Sequence, residues 1–237
     1  MKRILLFIGM FPFYALYAQK TTQKKLSIGF NFSPDYSFRI LTNKDGNESG
    51  DAVKQVRNDL EIAKFGYTTG LNICFAGSKL ISIETGIQYS SKGYQTKNYD
   101  VVFSPPDPLA PVKVKHTYAY QYIGIPLRAK HSFGKGNTRF LLSAGFMTSF
   151  LLKARQTYTY EYADGRTTEN SQSTAGNYNK IDISPMISTG IDCVINDKIR
   201  LITEPTFRYG MISTKNAPVT EHLWSIGLNV GIYYQLR

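Results

Sequence analysis

Apolar and polar residues alternate strictly along several separate segments of this chain. In residues 81–89 the odd positions are apolar or threonine, whereas the even positions are serine, glutamate, glycine and glutamine. Residues 181–192 and 224–234 repeat the same period of two. This period is typical of a β-strand with one apolar and one polar face. Eight such strands are predicted, around residues 26–32, 65–75, 81–89, 118–127, 140–150, 181–192, 201–209 and 224–234.

The connections between these strands alternate between long and short. Tight turns are predicted at residues 76–79, 134–137 and 196–198, whereas the other connections are long and polar. A barrel that crosses the outer membrane has short periplasmic turns and longer extracellular loops. The alternation therefore predicts an all-β fold, namely an eight-stranded antiparallel transmembrane β-barrel with its long loops outside the cell.

The polar faces of the strands indicate which side of the barrel they form. They are rich in glycine and serine and carry few charges, whereas a water-exposed surface normally carries more lysine and glutamate. A soluble lipocalin-like barrel, with its apolar face inside, is therefore the less favoured alternative. Aromatic residues gather near the strand ends, as in the interfacial girdles of membrane barrels. The tyrosines expected in such girdles are Tyr89, Tyr94, Tyr118, Tyr120, Tyr122, Tyr209, Tyr233 and Tyr234.

The first residues have the pattern of an export signal. Two basic residues precede an apolar run, residues 4–17, that is too short for a comfortable membrane span. Pro12 interrupts this run and argues against an uncleaved anchor helix. We expect a signal peptide at residues 1–18, a barrel domain at residues 19–237, and a location in the outer membrane of a Gram-negative bacterium.

Composition and motifs remove several classes of function. The net charge is +11 over 237 residues, but no basic block or nucleic-acid-binding motif accompanies it, so nucleic-acid binding is not expected. We attribute the excess of lysine and arginine to loops and turns, with outer-membrane lipid and lipopolysaccharide as anionic neighbours. No metal, nucleotide or nucleophile motif appears, so neither a cofactor nor a catalytic residue is expected.

Histidines and cysteines give no further sign of chemistry. His116, His131 and His222 lack the spacing of metal ligands. A hydrolase site that pairs His222 with a nearby serine, Ser225, is conceivable, but an enzyme is the least favoured interpretation. The two cysteines, at positions 74 and 193, lie on opposite sides of the expected ring with opposite parity, so no disulfide between them is expected.

Seven charged residues take the inward parity of their strands. Because buried charges are tolerated only when they are paired and hydrogen-bonded, we expect an interior network. Glu84 and Arg128 lie at similar heights on adjacent strands and should form a buried ion pair. We interpret the network as a structural plug, with a proton or ion path as the alternative. Its members are Glu84, Arg128, Lys130, Asp182, Asp192, Glu204 and Arg208.

Three prolines lie within predicted strands, where each removes a ladder hydrogen bond. A change of apolar parity between Tyr122 and Ile123 predicts a switch of face and a β-bulge near Pro126. For Pro185 and Pro205 the sequence offers no explanation.

A family resemblance accompanies the first of these prolines. The segment from Tyr122 to Lys130, Tyr-Ile-Gly-Ile-Pro-Leu-Arg-Ala-Lys, resembles the pattern of tyrosine, Ile-Pro-Leu and lysine in PorT-like outer-membrane barrels of Bacteroidota. The expected mature start at Gln19 and the segment 224–234 are similar to that family too, although the chain ends on leucine and arginine rather than on an aromatic residue. The resemblance implies an eight-stranded outer-membrane barrel. It fixes no activity, since members of the family are largely uncharacterised and the type member assists protein secretion.

The long loops carry whatever specificity the chain has. A short helix is expected near residues 51–64, and the proline-rich residues 104–111 should form a stiff, extended segment. We predict a non-enzymatic component that binds, anchors or assists assembly or secretion through these loops. A small-solute channel is the second hypothesis.

The third long loop contains the best candidates for contact with a protein partner. Tyr158, Tyr160 and Tyr162 continue the even apolar parity of the fifth predicted strand, which should project from the membrane as a hairpin that turns at Asp164-Gly165. Exposed tyrosines on such a projection suit partner contact, and ordinary cross-strand pairs are the equal alternative.

Overall fold

The computed structural model describes residues 25–78, 80–105, 107, 109–134, 136–173 and 178–236. The expected signal peptide, residues 1–18, lies outside the described residues. Within them the elements follow in the order β1 Lys25–Asn43, α1 Glu48–Leu60, β2 Glu61–Ala76, β3 Ile81–Thr96, β4 Tyr99–Asp100, β5 Pro111–Phe133, β6 Thr138–Tyr162, β7 Thr167–Ser173, β8 Ile181–Val194, β9 Ile199–Tyr209 and β10 Val219–Gln235.

Eight of these strands close into an antiparallel ring, as predicted. The order around the ring is β1, β2, β3, β5, β6, β8, β9 and β10, and β10 pairs back with β1. The two remaining strands lie outside the ring. β4 pairs with the first residues of β5, and β7 pairs with the last residues of β6. No helix in the described part of the chain is long and apolar enough to cross a membrane.

The polar faces of the strands point inward and the apolar faces point outward, which is the arrangement of a membrane barrel rather than of a lipocalin. Phe65 is 79% exposed on the outer surface, whereas Glu84 is fully buried in the interior. The three turns at the periplasmic end lie where the sequence predicts them, since the strands that precede them end at Ala76, Phe133 and Val194.

The expected aromatic girdle is confirmed in part. Tyr89, Tyr209 and Tyr234 lie on the membrane-facing side, and rings such as Tyr36 and Phe65 join them, with centroids 5.4 Å apart. The other tyrosines are corrections to the prediction, because they lie on the inner face, where a tyrosine hydroxyl can reach buried charges. Those that are buried inside are Tyr94, Tyr120, Tyr122 and Tyr233, and Tyr118 is half-buried above them.

A β-bulge is present near Pro126, but it lies in β6 rather than in β5. The pairing with β5 shifts at Gln121 and Tyr122, and Leu152 is the extra residue of β6. The predicted switch of face within β5 is wrong, because Tyr122 is buried on the same face as Arg128. In β6 the inward parity changes from odd to even beyond the bulge.

That change of parity corrects the prediction for the hairpin tyrosines. Tyr158 and Tyr160 do not continue the lipid-facing row that ends at Phe150. They are half-buried on the continuation of the inner face, since they pair with β5 opposite His116 and Val114. The hairpin itself is confirmed, and Gly165 adopts the positive φ of 83° that its turn requires.

Pro185 lies where the ladder between β8 and β9 ends. Alternate residues of a strand direct their backbone groups to the same neighbouring strand. The carbonyl of Ile183 accepts a hydrogen bond from the N–H of Met211, beyond the end of β9, so the nitrogen of Pro185 faces that side too. Regular pairing begins at Met186 with Arg208, so the missing N–H of Pro185 falls outside the ladder.

Pro205 lies at an interruption of the same ladder. Pairing stops after Ser188 and Thr206 and resumes at Ile191 and Thr203. Both prolines therefore share one seam of the ring, between β8 and β9, and leave the pairing of their other neighbours regular.

Candidate functional site at the extracellular mouth

Four charged side chains fill the middle of the barrel. Arg128 donates from Nε to Oε1 of Glu84 at 3.0 Å and from Nη1 to Oε1 of Glu204 at 2.8 Å. The ammonium of Lys130 lies 2.6 Å from Oε2 of Glu84, and the hydroxyl of Tyr233 donates to the same oxygen at 2.7 Å. The predicted pair of Glu84 and Arg128 is present, and the two cations balance the two carboxylates within this cluster.

The other predicted inward charges belong to separate pairs rather than to one network. Asp182 accepts from Lys92 at 3.2 Å, and Arg208 donates to Asp35 at 3.2 Å. Both pairs lie on the extracellular side of the central cluster. Sequence reasoning missed Lys92 and Asp35, which complete them.

Asp192 lies at the periplasmic end, where it pairs with Arg200 and lies 3.4 Å from Arg139. Arg139 and Arg200 border a cavity of about 490 Å³ that opens to the periplasmic side, with Cys74 in its wall. Cys74 and Cys193 are both free thiols.

A second charged cluster closes the extracellular end of the barrel, and sequence reasoning missed it. Arg57 of α1 donates to Glu61 at 2.7 Å, to Glu221 at 2.8 Å and to the hydroxyl of Tyr94 at 3.0 Å. Glu221 also accepts from the hydroxyl of Tyr120 at 2.7 Å. These strand residues lie above the outer aromatic girdle, so the cluster belongs to the mouth rather than to the membrane span.

Helix α1 is fixed to the barrel wall at both ends. At its first turn, which Asn47 caps by accepting from the N–H of Gly50 at 2.7 Å, the side chain of Asn43 of β1 donates to the carbonyl of Asn47 at 2.8 Å and to Asp51 at 3.1 Å. At its last turn Arg39 of β1 donates to Glu61 at 2.7 Å and to the side chain of Asn58 at 2.7 Å. The expected short helix is confirmed and forms part of the rim. It ends at Leu60, four residues before its predicted end at residue 64.

A cavity of about 550 Å³ opens between α1, the upper ends of the strands and the segment before β10. Its wall combines the stacked rings of Tyr94 and Tyr118, whose centroids are 4.7 Å apart, with charged groups of both signs. Burial alone would lower the pKa of Arg57, but its hydrogen bonds to Glu61 and Glu221 raise that pKa above its ordinary value. The residues of the wall that matter here are Val53, Arg57, Glu61, Tyr94, Tyr118 and Lys215.

The projecting hairpin is a separate extracellular feature. The rings of Tyr158 and Tyr160 stack with centroids 6.3 Å apart, and Tyr158 also meets the ring of His116 at 4.6 Å. Burial lowers the pKa of His116, and its Nε2 lies 3.0 Å from the hydroxyl of Tyr99. The third candidate, Tyr162, ends β6 and lies half-buried beside the turn.

The geometry gives no support to a catalytic pair of His222 and Ser225, because Ser225 is buried on the inner face and His222 lies on the outer face. There His222 stacks on Tyr209. The described residues contain no group of three or more histidine, cysteine or acidic side chains that could hold a metal ion.

Comparison with known proteins connects this geometry to a family and to solved barrels. A model of the outer membrane protein beta-barrel domain matches residues 17–216. Among solved structures, neisserial surface protein A is 12% identical, with a TM-score of 0.40, over 87% of this chain and 96% of that one. The outer membrane protease OmpT from Escherichia coli is 7% identical, with a TM-score of 0.43, over 92% of this chain and 99% of that one. The attachment invasion locus protein Ail of Yersinia pestis is 9% identical, with a TM-score of 0.34, over 89% and 99%. Identities this low say nothing about a shared activity, and no curated protein matches the chain.

Proposed function

The chain belongs to the family of outer membrane protein beta-barrel domains, and we propose that it is a non-enzymatic binding component that acts through its extracellular mouth and hairpin. An outer-membrane barrel of this family has outer-membrane lipid as its neighbour. The proposal has three parts. The protein binds a partner or ligand, it is exported by means of a cleaved signal peptide, and it takes part in assembly or secretion, as the resemblance to the PorT-like family implies.

One observation carries this proposal, namely the closed, charge-paired interior. Glu84 and Glu204 are fully buried, and Arg128 and Lys130 are each 2% exposed. Eight strands enclose a space that side chains can fill, and here those side chains are cross-linked by ion pairs. A filled barrel is a rigid holder, so recognition falls to the structures above the membrane.

Conductance separates this proposal from the channel hypothesis. Purified protein in planar bilayers should show no stable single-channel steps, with a porin as positive control. Reproducible steps that vanish in Glu84→Gln or Arg208→Gln would overturn the plug and favour a small-solute channel.

A partner at the hairpin is tested by shortening it. Replacing residues 157–171 by a two-residue turn should leave the barrel folded, because loops above a barrel tolerate such changes. A stoichiometric protein that is retained by the full chain in gentle detergent extracts of native outer membranes, and lost with the shortened chain, supports an assembly role for Tyr158, Tyr160 and Tyr162. Equal retention by both chains contradicts it.

The processing of the chain is tested directly. N-terminal sequencing of protein from isolated outer membranes should begin at Gln19, which follows from the short apolar run before Ala18. A start at Met1 would show that residues 1–18 remain attached.

A further inference from the structure

We propose that the cavity at the extracellular mouth binds an uncharged saccharide. This inference rests on the proposed binding function and names the class of ligand for its main site. Its volume of about 550 Å³ lies within the range of small-ligand pockets, about 300–1,000 Å³, and accommodates a mono- or disaccharide.

The charges of the cavity argue against an ionic ligand. Two acidic residues of the wall, Asp45 and Glu61, stand against two basic ones, Arg57 and Lys215. Behind the wall, Arg57 reaches the buried carboxylate of Glu221. A phosphate or a carboxylate would meet acidic groups as readily as basic ones. A ligand with many hydroxyls and no charge can accept from the cations and donate to the carboxylates without disturbing this balance.

The aromatic part of the wall favours a ring over an open chain. Tyr94 and Tyr118 stack with an angle of 26° between their planes, and Tyr118, which is half-buried, lines the cavity. The negative face of an aromatic ring attracts weakly positive hydrogens. The axial C–H groups of a pyranose present such hydrogens on one flat face, while its hydroxyls point to the edges.

The guanidinium of Arg57 retains a donor for the ligand. Its hydrogen bonds to Glu61, Tyr94 and Glu221 use Nε and Nη2 only. Among the hydrogen bonds of the described residues Nη1 has none, and the side chain is 20% exposed at the cavity. Nη1 can therefore donate to a sugar hydroxyl while the rest of the group holds the mouth together.

The test uses the refolded full barrel in a detergent that has no sugar headgroup. Saturation-transfer difference NMR is recorded with methyl pyranosides, maltose, cellobiose and lactose, and with sorbitol as an open-chain polyol. We expect transfer to the ring C–H protons of at least one pyranoside and none to sorbitol. Absence of transfer for every pyranoside overturns the inference, whereas the bilayer and hairpin experiments above decide the proposed function independently.

Two pairs of variants locate the site. Val53 lines the cavity and is 48% exposed, whereas Val56 is 56% exposed on the same helix and does not line it. Val53→Trp should fill the cavity and weaken saccharide binding at least about tenfold, a change of about 1.4 kcal/mol. Val56→Trp is the matched control and should leave binding unchanged. Tyr118→Leu should abolish transfer and Tyr118→Phe should retain it. Undiminished binding in Val53→Trp and Tyr118→Leu would place the saccharide elsewhere and refute the site.

Discussion

Neutralising Glu84 should destabilise the barrel strongly, because it leaves an unbalanced positive charge in the interior. In the wild type Glu84 and Glu204 balance Arg128 and Lys130, and Glu84 accepts from Arg128, Lys130 and Tyr233. In Glu84→Gln two buried cations face one carboxylate. Breaking a buried pair by removing one partner costs about 3–5 kcal/mol, and we expect a loss in that range in the free energy of unfolding.

A second substitution separates charge from shape. Lys130→Met keeps most of the volume and the unbranched stem of the lysine but removes its charge, so Glu84→Gln with Lys130→Met restores neutrality around Arg128 and Glu204. We expect the double variant to lose about 2 kcal/mol less free energy of unfolding than the sum of the two single losses. This difference lies within the range of interaction energies between residues in contact.

The assay is reversible urea unfolding in lipid vesicles or detergent, followed by the fluorescence of the only tryptophan. Trp224 packs between Phe38 and Phe207 at the outer girdle, with centroids 6.4 and 6.3 Å away, so it reports closure of the barrel. The exposed Glu48→Gln serves as a control and should change stability by less than about 0.5 kcal/mol. A loss of that small size in Glu84→Gln, or a double variant whose loss equals or exceeds the sum of the two single losses, would refute the charge-balance reasoning.

Three further predictions concern packing, the proline seam and pH. Gly29→Ala should cost about 1–3 kcal/mol in the same unfolding assay, because its new Cβ would overlap the ring of Tyr233, whereas Gly77→Ala, whose nearest neighbour lies 3.8 Å away, should change little. Hydrogen exchange followed by mass spectrometry should show faster exchange beside Pro205 on the ladder between β8 and β9 than on any other seam, and uniform protection would contradict this. The pKa of His116 is lowered in the fold below its ordinary value of 6.5, so packing at this ring should be fully stable above pH 6.5 and weaken as the pH falls from there toward the lowered pKa. NMR titration of the ring should give a midpoint below 6.5, and a midpoint above it would reverse the sign.

The sequence predicts most of the barrel because one physical rule governs the membrane span. Lipid accepts only apolar side chains and the interior accepts polar ones, so parity alone places Glu84, Asp182 and Asp192 inside. The same rule would have found Asp35 and Arg39 had the first strand been continued beyond Phe32. Pro34 and the aspartate after it have the composition of a turn, which conceals the eleven residues of β1 that follow Phe32.

Tyrosines escape this rule because their rings suit both sides of the wall. A tyrosine at a membrane interface and a tyrosine that donates to a buried carboxylate have the same residue type and similar positions near strand ends. Parity with Arg128 would have placed Tyr120 and Tyr122 inside, where Tyr120 binds Glu221. The aromatic pattern favoured the girdle instead, because the role of Glu221 depends on a helix from a distant loop.

The mouth could not be predicted because bulges reverse the faces where the membrane ends. In β2 the register shifts between Ala63 and Tyr67, so Glu61, which shares odd parity with the lipid-facing Tyr67, turns inward to Arg39. In β6 the extra residue Leu152 has the same effect on the hairpin. Below these bulges the solvent is lipid and the pattern is strict, whereas above them both faces meet water and polar groups. The residues that build the candidate site therefore lie where the alternation no longer carries information. Arg57 and Glu61 are only four positions apart, but only the three-dimensional arrangement brings Glu221 to Arg57.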